Sequence, residues 1–203
     1  MNFVEKLIVR YPEVSACREP LEQAIAAIVS MYRDGGTLLV CGNGGSAADC
    51  EHICGELLKG FLSRRPLSES EKALLRPEIA DRLQGGIKAI PLPSLTAAMT
   101  AFGNDVSSDL AFAQLVWSLG EPKGVFLGIS TSGNAKNVCA AAEAARAKGM
   151  VTIAMTGQSG GTLAQLCDIA VKAPRTETYQ IQELQLPIYH TLCAEAEAQI
   201  FGG

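Results

Sequence analysis

The stretch CGNGGSAADCEH, residues 41–52, constrains the fold more than any other part of the chain. It follows the apolar run Thr37–Val40, turns on Gly42, Gly44 and Gly45 around Asn43, and continues as an alanine-rich helix from near Ser46. Strand, glycine turn and helix start in direct succession make an anion site. The glycines admit a ligand close to the backbone, while free N–H groups and the positive end of the helix point at it. Taken alone, such a loop is equally a tight strand-to-helix turn whose glycines serve only the backbone. The pattern recurs, however. GVFLGIS (124–130) is an apolar run suited to a central strand, and it leads through TSGNAKN into the helical VCAAAEAARAKG. Ser130, Thr131, Ser132, Gly133 and Asn134 at this second turn offer hydroxyls as well as amides to an oxyanion.

Three further apolar runs, IKAIPL (87–92), MVTIAMT (150–156) and DIAVKAP (168–174), read as strands. Five short, almost continuously apolar strands alternating with helices predict an α/β fold: a doubly wound three-layer sandwich around a five-stranded parallel sheet, with ligands at the carboxyl ends of the strands. A chain of 203 residues suits one such domain, 1–203. Helices precede the first strand within residues 1–36: one over 2–10, stopped by Pro12, and one over about 20–34, ended by Gly35-Gly36. Their apolar faces exceed what one sheet needs, which points to a homo-oligomer. Residues 61–86 form the most polar stretch and read as an insertion. Leu74, Leu75, Ile79 and Leu83 are spaced for one or two short helices, and the segment is expected to act as a lid or subunit contact rather than as core. Residues 96–120 read as helices interrupted at Gly103-Asn104, which places Asn104 and Asp105 in the break. A last helix, about 177–201, contains Pro187, which predicts a bend flanked by Gln182 and His190.

Acids and bases are interspersed, with a net charge of −4, so nothing suggests a nucleic-acid or membrane-surface partner. Seven cysteines without a CxxC pair read as small buried hydrophobes in a reducing compartment rather than as a zinc ribbon or disulfide scaffold. Glu5 and Lys6 interrupt the first apolar stretch, and no window reaches the length of a membrane span. A soluble, cytoplasmic protein is expected.

Three ordered pieces, CGNGGSAADCEHICGEL, GISTSGNAKNV and IQELQLPIYHTLC, together resemble the sugar isomerase (SIS) domain family, most closely the phosphoheptose isomerases. The resemblance covers most of the chain outside residues 61–86. It implies an aldose–ketose isomerase acting on a sugar phosphate, sedoheptulose 7-phosphate to D-glycero-D-manno-heptose 7-phosphate, in a homotetramer with sites between subunits. By position, the sugar phosphate falls to Asn43, Gly44, Ser46, Ser130, Thr131 and Ser132, with Asn104, Asp105 and Gln182 as further substrate contacts. The acid/base pair falls on Glu56 and His190. A divalent metal, with zinc the implied ion, falls on His52, Glu56, Gln182 and His190. There are departures: Ala135 stands where another serine is common, Lys59-Gly60-Phe61 replaces a stretch that often holds arginine, and Gln180 stands where the last motif often has arginine.

The residues themselves support part of this. His52 and Glu56 are spaced i, i+4 and share a helix face, whereas Gln182 and His190 stand roughly 12 Å apart along a helix and converge only if long side chains lean inward. A partly buried histidine hydrogen-bonded to a neighbour and a solvated glutamate are the ordinary readings of His52 and Glu56. Against them, both histidines of the chain fall on family positions. The alternative is a non-catalytic SIS module, a phosphosugar sensor or a protein-binding adaptor. A nucleotide-binding α/β protein ranks lower, since neither GxGxxG nor GxxxxGK[ST] occurs.

Overall fold

Leu38–Gly42 forms β1, buried at every position, and it pairs in parallel with two neighbours, β2 (Ala89–Pro91) and β3 (Val125–Ser130). The computed structural model describes residues 1–202. Beyond β3 lie β4 (Val151–Thr156) and β5 (Ile169–Lys172), so the sheet runs β2-β1-β3-β4-β5, all parallel. Alternation along the strands feeds two cores. Leu38, Val40, Val125, Leu127, Ile129, Ile153 and Met155 enter one, while Leu39, Cys41, Phe126 and Ala154 enter the other. Because both faces of each central strand are covered, the strands carry unbroken apolar runs.

The first core is closed by α1 (Phe3–Arg10), α2 (Arg18–Arg33), α3 (Gly45–Leu58) and α10 (Thr178–Phe201). Asn2 and Glu5 build a capping box at the start of α1, and the Phe3 amide donates to Glu195 on α10, which docks the helix. A 3₁₀ turn over Pro12–Cys17 joins α1 to α2. On the other face, α7 (Ala111–Leu119) and α8 (Lys136–Ala147) provide Phe112, Leu115, Val116, Val138, Ala141 and Ala145, with α9 (Gly161–Leu166) beside them. The helix over Thr96–Phe102, α6, ends in a π turn at Gly103–Ser107, where the sequence places its interruption. The last helix runs unbroken through Pro187. The ring removes the N–H that would bond to the Glu183 carbonyl, but the helix is carried by burial on both sides of that turn.

Residues 61–86 depart from expectation. Two single-turn helices, α4 (Glu69–Lys72) and α5 (Pro77–Ala80), lie at the exposed tip, where Leu74 is 84% exposed. The base is core, not periphery. Arg65 is fully buried and paired with Glu197 of α10 at 2.8 Å, and an antiparallel bridge between Pro66 and Gln84 pinches the excursion shut. Charge alone hid this, because an arginine in a polar run reads as solvated unless its partner, 132 residues away, is known.

Candidate active site

The chain leaves β1 toward β2 on one side and returns to β3 on the other, so β1 and β3 flank the point where the strand order reverses. A crevice opens there at the carboxyl ends of the strands. It is a cavity of about 160 Å³ lined by Asn43, Ser46, Ile129, Ser130, Thr131, Ser132 and Ala135. Gly44 takes φ +56° and turns the chain into α3, whose fourteen residues aim their N-terminal dipole at the cavity. A Cβ on Gly45 would meet the Gln182 carboxamide, the movable end of a long side chain, so α10 reaches the start of α3 through this residue. Asn43 and Asn137 exchange hydrogen bonds of 2.9 Å in both directions and tie the two loops together.

Ser46 and Ser130 are buried, yet neither hydroxyl is sealed away unpaired and both line the cavity. The Ser132 Oγ accepts the Asn134 N–H at 3.2 Å, and the Asn134 Oδ1 accepts from Thr162, which braces the second loop. Gly133, at φ +68°, sits against the Gly160 carbonyl, where no side chain fits. Hydroxyls, backbone amides and a helix N-terminus converge on a space of phosphate dimensions, and Ala135 leaves one wall without a hydroxyl.

Further along α3, Asp49, His52 and Glu56 meet Tyr189 and His190 of α10. The Tyr189 hydroxyl donates to Asp49 Oδ1 and lies 3.1 Å from His52 Nδ1. With that proton committed to Asp49, His52 Nδ1–H donates to the phenol oxygen and the lone pair of its Nε2 faces outward. His52 Nε2 is 3.3 Å from His190 Nε2 and 3.3 Å from Glu56 Oε1. The His190 N–H can donate across the first gap. The second separates two acceptors, which favours a proton or a cation between them. Burial above all, with the proximity of His52 acting in the same sense whenever that ring carries a proton, holds the His190 pKa below its ordinary 6.5, so its imidazole is neutral at pH 7. Lys59 Nζ, 2.7 Å from Glu56 Oε2, holds the Glu56 carboxyl below its ordinary range.

Three of the four residues assigned to metal thus meet, and Gln182 does not, since its carboxamide lies at the Gly45 end. Two ligands of one tetrahedral ion with bonds of about 2.0–2.1 Å stand about 3.3 Å apart, the spacing His52 Nε2 shows to both neighbours. Those two separations, and the nitrogen and carboxylate donors that make them, are of the kind a divalent ion takes, while among the described residues no group of three His, Cys, Asp or Glu side chains encloses one point. Asn104 and Asp105 bond to each other on an exposed turn and line neither this cavity nor the next. A groove of about 470 Å³ opens beside His190, between α1 and α10, with Phe61 and Leu62 among its lining residues.

Asp49, Tyr189, Lys59 and Asn137 were not assigned from sequence. Asp49 stands at i−3 from His52, a spacing that announces a shared face. The tyrosine next to His190 carried no such signal.

A family profile described as SIS domain matches residues 2–157. "Phosphoheptose isomerase 2" of Campylobacter jejuni is 38% identical over 182 residues, covering 90% of this chain and 81% of that protein. A phosphoheptose isomerase of Aneurinibacillus thermoaerophilus is 36% identical over 181 residues, covering 89% and 82%. The solved phosphoheptose isomerase from Neisseria gonorrhoeae superposes with a TM-score of 0.73 at 30% identity, covering 96% of this chain and 98% of that one. With the reversed strand order, the two hydroxyl-bearing loops and the pair of facing helices in place, the chain belongs to the SIS domain family.

Proposed function

We propose that the protein is a phosphoheptose isomerase, interconverting sedoheptulose 7-phosphate and D-glycero-D-manno-heptose 7-phosphate. The observation that carries this reading is the continuity of α3. The helix begins at the serine-lined cavity and bears Glu56 ten residues beyond Ser46, roughly 15 Å along its axis. Side chains lean toward the N-terminus and shorten that gap, which suits a long-chain sugar phosphate better than a triose.

The phosphate would take the hydroxyls of Ser46, Ser130, Thr131 and Ser132 together with the Gly44–Ser46 amides. The far end of the sugar would reach Glu56. In the ketose-to-aldose direction the Glu56 carboxylate removes a proton from C1, the C2 carbonyl oxygen gains one, and the resulting enediol collapses as O1 loses its proton and C2 gains one. Neutral His190 carries the oxygen-bound proton. Asp49 and Tyr189 hold His52 in the tautomer that accepts from His190.

A divalent metal such as zinc belongs to the proposal. His52, Glu56 and His190 would hold it, with water or a substrate oxygen completing the shell, and when bound it would polarise the carbonyl and stabilise the enediolate. So does a cytoplasmic homotetramer with sites between subunits, for which the groove beside His190 is the open face. Proton NMR of the purified protein with a panel of ketose phosphates in D₂O tests the core claim. Conversion of sedoheptulose 7-phosphate with deuterium incorporated at the reacting carbon is expected, and no conversion of any ketose phosphate would refute it. Metal content by mass spectrometry, before and after His52→Ala, tests the ion: wild type should carry it and the variant should not. Light scattering reads the assembly state.

A further inference from the structure

We infer that the buried Arg65–Glu197 pair is a positioning device for both halves of the acid/base pair, an inference that rests on the isomerase reading above. Arg65 is fully buried, and each arm of its guanidinium has a different partner. Nε donates to Glu197 Oε1 at 2.8 Å, Nη1 to the Leu57 carbonyl at 2.6 Å, and Nη2 to the Glu56 carbonyl at 3.2 Å. The last carbonyls of a helix have no intrahelical donor. Here two of the last four carbonyls of α3, those of Glu56 and Leu57, are taken by one planar fork; the Leu57 carbonyl also accepts from the Ile87 amide, whereas the Glu56 carbonyl belongs to the residue that carries the proposed base.

Glu197 does the same for the other half. Its two oxygens accept from the Phe61, Leu62 and Ser63 amides at 2.8, 2.8 and 3.1 Å. That fixes the backbone of Phe61, whose ring lies 5.5 Å, centroid to centroid, from the His190 imidazole. A staple that merely closed the excursion over residues 61–86 would need only the Arg65–Glu197 contact. The remaining donors of Arg65 go instead to the Glu56 end of α3, and the acceptors of Glu197 go to the aromatic wall of His190. One ion pair therefore sets the position of the carboxylate and of the imidazole together.

Lysine cannot reproduce a planar three-way fork. Arg65→Lys keeps the charge and the contact to Glu197 but gives up the two carbonyls, so the chain stays folded while Glu56 loses its anchor. The expected result is kcat lowered about tenfold or more with KM changed less than about twofold, because a small misplacement acts on the transition state. The chain has only two histidines, so long-range ¹H–¹⁵N spectra resolve each imidazole, and the His190 signals should move. Ile28→Val, a core change on α2 that loosens the fold away from the site, should leave kcat and both imidazole signals unchanged.

A folded Arg65→Lys protein with wild-type kcat and unmoved His190 signals overturns the inference, as does an effect confined to KM. Should Arg65→Lys not fold, Glu197→Asp, which retains the pair with a shorter arm, is judged by the same quantities. If wild type converts no ketose phosphate, the isomerase reading fails and the imidazole signals alone decide whether the pair positions these groups.

Discussion

Glu56 has two neighbours that act on it in the same sense: Lys59 above all, and then His52 at its other oxygen, hold the carboxyl below its ordinary range against the opposing effect of burial. An ionised carboxylate is the form that can accept a carbon-bound proton. Glu56→Gln keeps shape and removes that capacity, so kcat should fall on the order of a hundredfold or more with KM little changed, and His190→Asn should behave alike. Steady-state kinetics decide; wild-type carbon–hydrogen exchange in Glu56→Gln would remove the residue from the base role. At the other end, Ser130 is a cleaner probe than Ser132, whose hydroxyl already braces Asn134. Ser130→Ala should weaken phosphosugar binding by about 1 kcal/mol or more, measured by calorimetry, without lowering the melting temperature. The serines and the His52–Glu56 spacing were legible because loop and helix are local in sequence. Tyr189, Arg65 and Glu197 were not, since each acquires its meaning from a partner more than a hundred residues distant.

Among elements, the excursion over residues 61–86 separates into a base and a tip. Removing the whole segment strands Glu197 as a buried, unpaired charge, a loss of about 3–5 kcal/mol that a marginally stable domain does not tolerate. Removing only the exposed part of the tip, residues 68–78, beyond the Pro66–Gln84 bridge and short of the buried Ala80, should leave a folded protein whose urea midpoint stays close to wild type. Two equal midpoints for the two deletions would show that the base is dispensable. The strands and most helices were legible from apolar runs, capping residues and glycines. The base was not, because polar composition describes where a segment is solvated on average and not which one of its charges is enclosed.

At the scale of the whole molecule, acid sensitivity follows from Glu197. Burial alone would raise its pKa, but the Phe61 and Leu62 amides and Arg65 outweigh it and hold the carboxyl below its ordinary 4.5. A depressed folded-state value means that the unfolded chain binds the proton first. The stabilisation is complete above about pH 4.5 and is lost as pH falls through the folded value. The difference in urea midpoint between wild type and Glu197→Gln, which isolates this contribution, should be flat near neutrality and shrink below pH 4.5. The order of the sheet carries a last consequence. Its two margins are its shortest strands, β2 with three residues ending in Pro91 and β5 with four ending in Lys172. Proline offers no N–H and lysine resists apposition, so neither margin templates another chain. Growth of the sheet from one molecule into the next is closed off at both ends, so copies of this protein that meet do so through helices and loops.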